Sequence, residues 1–135
     1  MAWLVLTGGA AADRAPCLRY EPQAVELTGR LVRRTHPGPP NYESVRQGDA
    51  PVTYWYLELD RPICVELAPE GDDTPAESGV RTVQIITDAY AKHRRLVGRR
   101  VKIAGTLMHA ETGHHFTAVL IEAQRIEAAA RARRR

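Results

Sequence analysis

The chain has 135 residues, 44% of them hydrophobic and 26% charged, with a formal net charge of +3. That length fits one domain built on a single core. No stretch approaches the roughly 20 consecutive apolar residues of a membrane-spanning helix, so no transmembrane segment is expected.

The chain opens with "MAWLVLTGGAAADRAPC". A short apolar run, Ala2 to Leu6, leads into Ala10-Ala11-Ala12. This resembles the back half of a secretory signal with an Ala-x-Ala cleavage site before Asp13. The positive n-region is missing and the apolar core is short. A start codon assigned too far downstream explains both, and an ordinary N-terminal strand or arm is the alternative. The two cysteines, Cys17 and Cys64, suit one disulfide in an oxidising compartment if the chain is exported, and two buried thiols if it is not.

"AVELTGRLVRR" alternates, with Val25, Leu27, Gly29 and Leu31 on one face and Glu26, Thr28 and Arg30 on the other. This is a half-buried strand. "HPGPPNYESVRQGDAP" follows as a long Pro- and Gly-rich loop, a kind of segment that often carries function. "VTYWYLELDRPICVEL" is the second strand, with Trp55, Leu57 and Leu59 facing one way, Tyr54, Tyr56, Glu58 and Asp60 the other, and Pro62 forcing a break or bulge. After an acidic turn region, "VRTVQIIT" is the third strand. "DAYAKHRRLVG" reads as one short helix, capped by Thr87 or Asp88 and ended by Gly98. "RRVKIAGTLMHA" and "HHFTAVLIEAQRIE" are the fourth and fifth strands.

The order strand, long loop, strand, strand, helix, strand, strand predicts a mainly β protein. Its expected architecture is an OB-fold-like five-stranded Greek-key barrel with one helix between strands 3 and 4. An open α+β sheet with one helix is the alternative. Gly29 and Gly105 suit the sharp strand bends of a small barrel. The expected organisation is a leader-like segment at 1–12, one OB-like domain with an N-terminal arm at 13–127, and a basic tail at 128–135. Arginines crowd that tail, and Arg94, Arg95, Arg99 and Arg100 form a second cluster. Such clusters can attract nucleic acid, anionic lipid or acidic protein, but they also fit simply solvated charge.

"HAETGHHFT", residues 109–117, holds three of the five histidines. A three-residue loop at Glu111-Thr112-Gly113, with Gly113 left-handed, places His109 opposite His115. Leu107 then faces Thr117, Gly105 faces Val119, Ile103 faces Ile121 and Lys102 meets Glu122. A two-residue loop mixes the faces, whereas a five-residue loop keeps them. In this register His109 and His115 form an inward pair at the barrel rim, and His114 points away. The loop between strands 1 and 2 reaches the same rim in an OB-fold, bringing His36, Asn41, Tyr42, Glu43 or Asp49 beside the hairpin. Two neutral imidazoles on adjacent strands can share a Zn or Cu ion. They can also serve as acid and base with Glu43 or Glu111, or hold the loops together by bonding backbone.

"GTLMHAETGHHFTAVLI" resembles the signature of a bacterial family, domain of unknown function 4431. Its pattern reads Gly-Thr-Leu, a hydrophobic residue, His-Ala, then Thr-Gly-His-His and a Thr two residues on. Here these are Gly105, Thr106, Leu107, His109, Ala110, Thr112, Gly113, His114, His115 and Thr117. "CLRYEP", "PGPPNYES", "YWYLELDRPICV" and "LVGRRV" are similar to other family stretches, so the likeness spans nearly the whole chain after the leader. Phe116 stands where the family often has a third His. The resemblance implies a small exported protein, periplasmic or secreted, and supplies no activity.

Three functions are therefore expected to compete. The first is a non-enzymatic exported binding module for a small ligand, a protein or a cell-envelope component, using the rim residues His36, Asn41, Tyr42, Glu43, His109, Thr112, Gly113, His114 and His115. The second is a transition-metal site on His109 and His115. The third is single-stranded nucleic-acid binding through Tyr54 and Tyr56, which the acidic Glu58 and Asp60 on the same face oppose.

Overall fold

A computed structural model describes residues 16–67 and 73–130. The leader-like segment 1–12 and residues 131–135 of the basic tail lie outside the described residues. The elements in chain order are β1 (Leu18–Arg19), β2 (Ala24–Pro37), β3 (Pro51–Glu66), β4 (Glu77–Ile86), α1 (Tyr90–His93), β5 (Arg100–His109) and β6 (Val119–Ala128). The predicted strands 1 to 5 are β2 to β6, and β1 is an addition that no periodicity announced.

The strands form one mixed six-stranded sheet in the order β1-β3-β2-β5-β6-β4, with a further pairing of β3 with β4. The β1–β3 and β4–β6 pairs are parallel and the rest antiparallel. Each of β2 to β6 is thus paired on both sides. One face of this circuit carries the core: Leu27, Leu31, Leu57, Val83, Ile85, Ile103, Leu107 and Ile121 are all buried in one cluster. Each such aliphatic side chain withdrawn from water contributes about 1.5–3 kcal/mol. Gly29 and Gly105 lie where strands press closest. A Cβ on Gly29 would collide with the Glu58 carbonyl oxygen, and one on Gly105 with that of Glu122.

Cys17 and Cys64 form a disulfide, which seats β1 beside β3 with Leu18 opposite Val65. Tyr20 then closes over the core, its hydroxyl donating to the Pro75 carbonyl at 2.8 Å. Pro62 falls where the β3–β4 register shifts, between Glu58 and Ile63, as its missing N–H demands.

Four expectations are corrected. The helix is only Tyr90–His93, followed by a 3-10 turn at Arg94–Leu96. Its N-cap is Ala89, with no side-chain cap, although Gly98 (φ 86°) does end the segment. β2 takes His36 and Pro37 from the predicted loop, because both continue the ladder opposite Val52 and Pro51. The fifth strand starts at Val119 rather than His114. Last, the hairpin register differs: His109 lies opposite Val119, Leu107 opposite Ile121, Gly105 opposite Ala123 and Thr106 opposite Glu122. The slip is even, so the faces survive. A bulge between Ala104 and Gly105 then skips Gln124, which brings Ile103 opposite Ile126 and Lys102 opposite Glu127. Gly113 is not the left-handed residue of its loop; among the described residues that conformation is taken by Gly48, Gly79, Gly98 and Tyr42.

Candidate functional site

Two long loops fold over the outward face of β3 and β4, and each is held by one buried polar side chain. In the 38–50 loop this is Asp49, only 4% exposed. Its Oδ1 accepts from the Asn41 N–H at 2.8 Å, and its Oδ2 from the N–H groups of Glu43 and Ser44 at 2.7 and 2.8 Å. The backbone N–H of Ser44, then those of Glu43 and Asn41, hold the Asp49 carboxyl below its ordinary value of 3.8. A lowered value means that this stabilisation is complete above pH 3.8 and is lost as pH falls through the folded-state value. The amide resonances of Asn41, Glu43 and Ser44 should therefore stay flat across neutral pH and step together only below 3.8. In Asp49→Asn that common step should vanish.

In the 110–118 loop the anchor is Gln84 on β4, 2% exposed. Its Nε2 donates to the His114 carbonyl at 2.9 Å and its Oε1 accepts from the Phe116 N–H at 2.7 Å. Its own N–H donates to Thr117 Oγ1 at 2.9 Å, which in turn donates to the Val119 carbonyl. His114, Phe116 and Thr117 thus bond to Gln84 instead of β5, and this is why the expected hairpin register fails.

The anchored loops bring aromatic and imidazole rings together. His36 stacks on Phe116 with centroids 4.0 Å apart and planes at 8°. His36 Nε2 and the Tyr56 hydroxyl share a hydrogen bond of 2.6 Å. The Tyr54 hydroxyl and His114 Nδ1 share another, of 3.0 Å. Tyr42 meets His114 edge-on at 6.4 Å, and Tyr54 lies 5.3 Å from Phe116. Tyr56 is buried, and this pushes its phenol up, while the Arg34 guanidinium 5.1 Å over its ring pulls the other way. Tyr42 (56%) and Phe116 (43%) stay exposed on top of the cluster.

Of the predicted rim residues, the structure unites His36, Tyr42 and His114. Asn41 and Glu43 contribute backbone N–H groups to the Asp49 anchor, so their role here is to shape the loop. Thr112 bonds within its own turn: its Oγ1 accepts from the His114 N–H at 3.2 Å, and its carbonyl from the His115 N–H at 3.1 Å. Gly113 adjoins that turn, with open space around it.

His109 and His115 do not form the expected pair. His115 Nδ1 accepts from the Glu111 N–H at 2.9 Å and closes the turn. His109 sits at the end of β5 with Nε2 2.9 Å from Glu77 Oε1 and its ring 6.2 Å from Tyr20. Among the described residues no group of three or more His, Cys, Asp or Glu side chains is placed to hold a metal ion. For the nucleic-acid reading, Tyr56 is too buried to stack on a base, which leaves Tyr54 without its expected partner.

Sequence reasoning missed Gln84, Phe116 and the anchoring role of Asp49. Gln84 is visible as the one polar residue in the apolar run "VQII" on an otherwise regular strand.

The geometry defines a mainly β protein with a loop-built aromatic and imidazole face on its sheet. A family model, domain of unknown function (DUF4431), matches residues 82–127, and the chain resembles that family there. The matched stretch contains Gln84, α1, β5, the histidine loop and nearly all of β6. No curated protein matches the chain.

Proposed function

We propose that this protein is an exported, non-enzymatic binding module of OB-like fold whose ligand surface is the face bearing His36, Tyr42, Tyr54, His114 and Phe116. The fold reading rests on the circuit in which β2 to β6 pair, with parallel β4–β6 and the helical turn between β4 and β5. In an OB barrel, the loops after the first and fourth strands flank the binding face. Those are the two loops that converge here. Export is supported by the Cys17–Cys64 disulfide, a bond that persists in oxidising compartments.

The observation that carries the reading is the convergence of the rings, with Tyr42 and Phe116 left exposed at the summit. Large apolar rings are costly to leave in water, and clusters of them mark contact sites. The imidazoles of His36, His114 and His115 are each hydrogen-bonded to a tyrosine hydroxyl or to backbone, an arrangement that shapes a surface. Exposed rings beside phenol and imidazole groups suit a ligand with an apolar face and a polar rim, as a sugar ring has. Among cell-envelope components this favours a glycan.

The test is an amide-resonance titration of the full chain with soluble peptidoglycan fragments. Saturable shifts are expected at Tyr42, His114 and Phe116, and Phe116→Ala should weaken binding about tenfold, a typical loss for one interface ring. Saturable binding that leaves these resonances still, or that survives both Tyr42→Ala and Phe116→Ala unchanged, refutes the assignment of the face.

A further inference from the structure

The positive charges of this protein are unevenly neutralised. Arg19, Arg34, Arg100 and Arg125 each meet a carboxylate. Arg33, Lys92, Arg94, Arg95 and Arg99 have no ion pair and no side-chain hydrogen bond among the described residues, and all five are exposed. They gather around α1 and its following turn. Two clefts open there. One, of about 290 Å³, is lined by Arg33, Thr53, Trp55, Tyr90 and Arg94. The other, of about 450 Å³, is lined by Lys92, His93, Arg95, Leu96 and Arg99.

Among the described residues no carboxylate lines either cleft. Asp88 lines a third one, with Lys92, His93 and Arg125. Like charges gathered without counter-charge repel one another, and exposed side chains gain nothing in packing to offset this. An anionic ligand removes the repulsion. Burial first, and the Lys92 ammonium second, hold the His93 imidazole below its usual value. The first cleft also has an aromatic wall. Tyr90, 37% exposed, packs edge to face with its centroid 4.9 Å from that of Trp55, which is itself buried at 6% and reaches the cleft only at its margin.

We propose that the Arg33–Arg94 cleft binds a phosphate monoester, with the phosphate held by the two guanidiniums and its organic substituent against Tyr90 where that ring packs on Trp55. Two oxygens of a carboxylate are satisfied by one guanidinium fork, whereas a phosphate dianion has three terminal oxygens and can engage two forks at once. Lys92, Arg95 and Arg99 in the neighbouring cleft add the field that draws a dianion in. The site uses no residue of the aromatic loop face, so it stands or falls independently of that reading.

The experiment titrates the full chain with phenyl phosphate, inorganic phosphate and benzoate at low ionic strength, following the Trp55 indole N–H and the arginine side-chain resonances. Phenyl phosphate should saturate, about fivefold tighter than inorganic phosphate because its ring meets the aromatic wall. Benzoate should bind weakest. Arg33→Gln with Arg94→Gln should weaken phenyl phosphate about tenfold or more, the loss expected when charge-assisted forks are removed, while the rest of the spectrum stays in place. Absence of saturation, benzoate binding as tightly as phenyl phosphate, or undiminished binding to the double variant overturns the proposal. Co-sedimentation with vesicles containing phosphatidic acid, compared with phosphatidylcholine alone, assigns the source. Sedimentation lost in the double variant identifies a lipid headgroup, and phenyl phosphate binding without sedimentation identifies a soluble ester.

Discussion

Gln84→Ala is expected to lower stability by about 2–3 kcal/mol and to release the 110–118 loop, because one buried amide satisfies both the His114 carbonyl and the Phe116 N–H. Truncation leaves those two backbone groups without their partner, because alanine supplies neither donor nor acceptor. The Gln84 N–H to Thr117 bond survives, since it is main-chain, so the loop should loosen at its histidines before Val119 detaches. Urea unfolding measures the energy, and hydrogen exchange at Phe116 measures the release. The same exchange at Val119 should change far less. Gln124→Ala, at an exposed position on β6, is the control and should stay within about 0.5 kcal/mol. A Gln84→Ala chain as stable as its parent, with Phe116 still protected, would mean that the rings alone hold the loop. Loss of glycan binding in this variant would follow from the same cause, because Phe116 and His114 belong to the proposed face.

Removing the disulfide should cost more. Cys17→Ala with Cys64→Ala frees an arm tied across a sequence separation of 47, for which chain-entropy arguments give about 3–4 kcal/mol. Native contacts also depend on it. β1 is only Leu18–Arg19, a two-residue strand too short to hold register on its own, and Tyr20 beyond it covers the core. The expected result is a large fall in the urea midpoint and fast exchange at the Glu21 amide, which donates to the Leu107 carbonyl at 2.8 Å. Reductant should reproduce the shift in the parent and leave the double variant unchanged. A fall below about 1 kcal/mol would show that Tyr20 and β1 seat the arm without the bridge.

Much of the scaffold could be read from local pattern. The alternation in "AVELTGRLV" named the buried residues of β2, the glycines at 29 and 105 marked close strand contacts, Pro62 marked a ladder defect, and Gly98 marked the end of the helical segment. The β6 bulge was legible as well, though it was missed. Val119, Ile121 and Ala123 keep one parity, and Ile126 breaks it. A period-two pattern that changes phase requires a skipped residue.

The histidines were different. Their number is plain in the chain, but the meeting of two loops follows only from the expected fold, and their pairing rests on the shortest hairpin that keeps the faces. Loop length turned on Gln84, a residue far away in sequence that bonds His114, Phe116 and Thr117. Strand periodicity is written locally because the pleat alternates every residue, whichever strand lies alongside. The partner of a polar loop group is one choice among many donors and acceptors of similar strength, and only the assembled sheet brings one of them within reach. The sequence by itself therefore determined the five longer strands and most of their buried faces, while the meeting of the two loops followed only from the fold expected of them. The tertiary structure decided that His36, His114 and Phe116 form the face, that His115 closes a turn, and that His109 turns aside to Glu77.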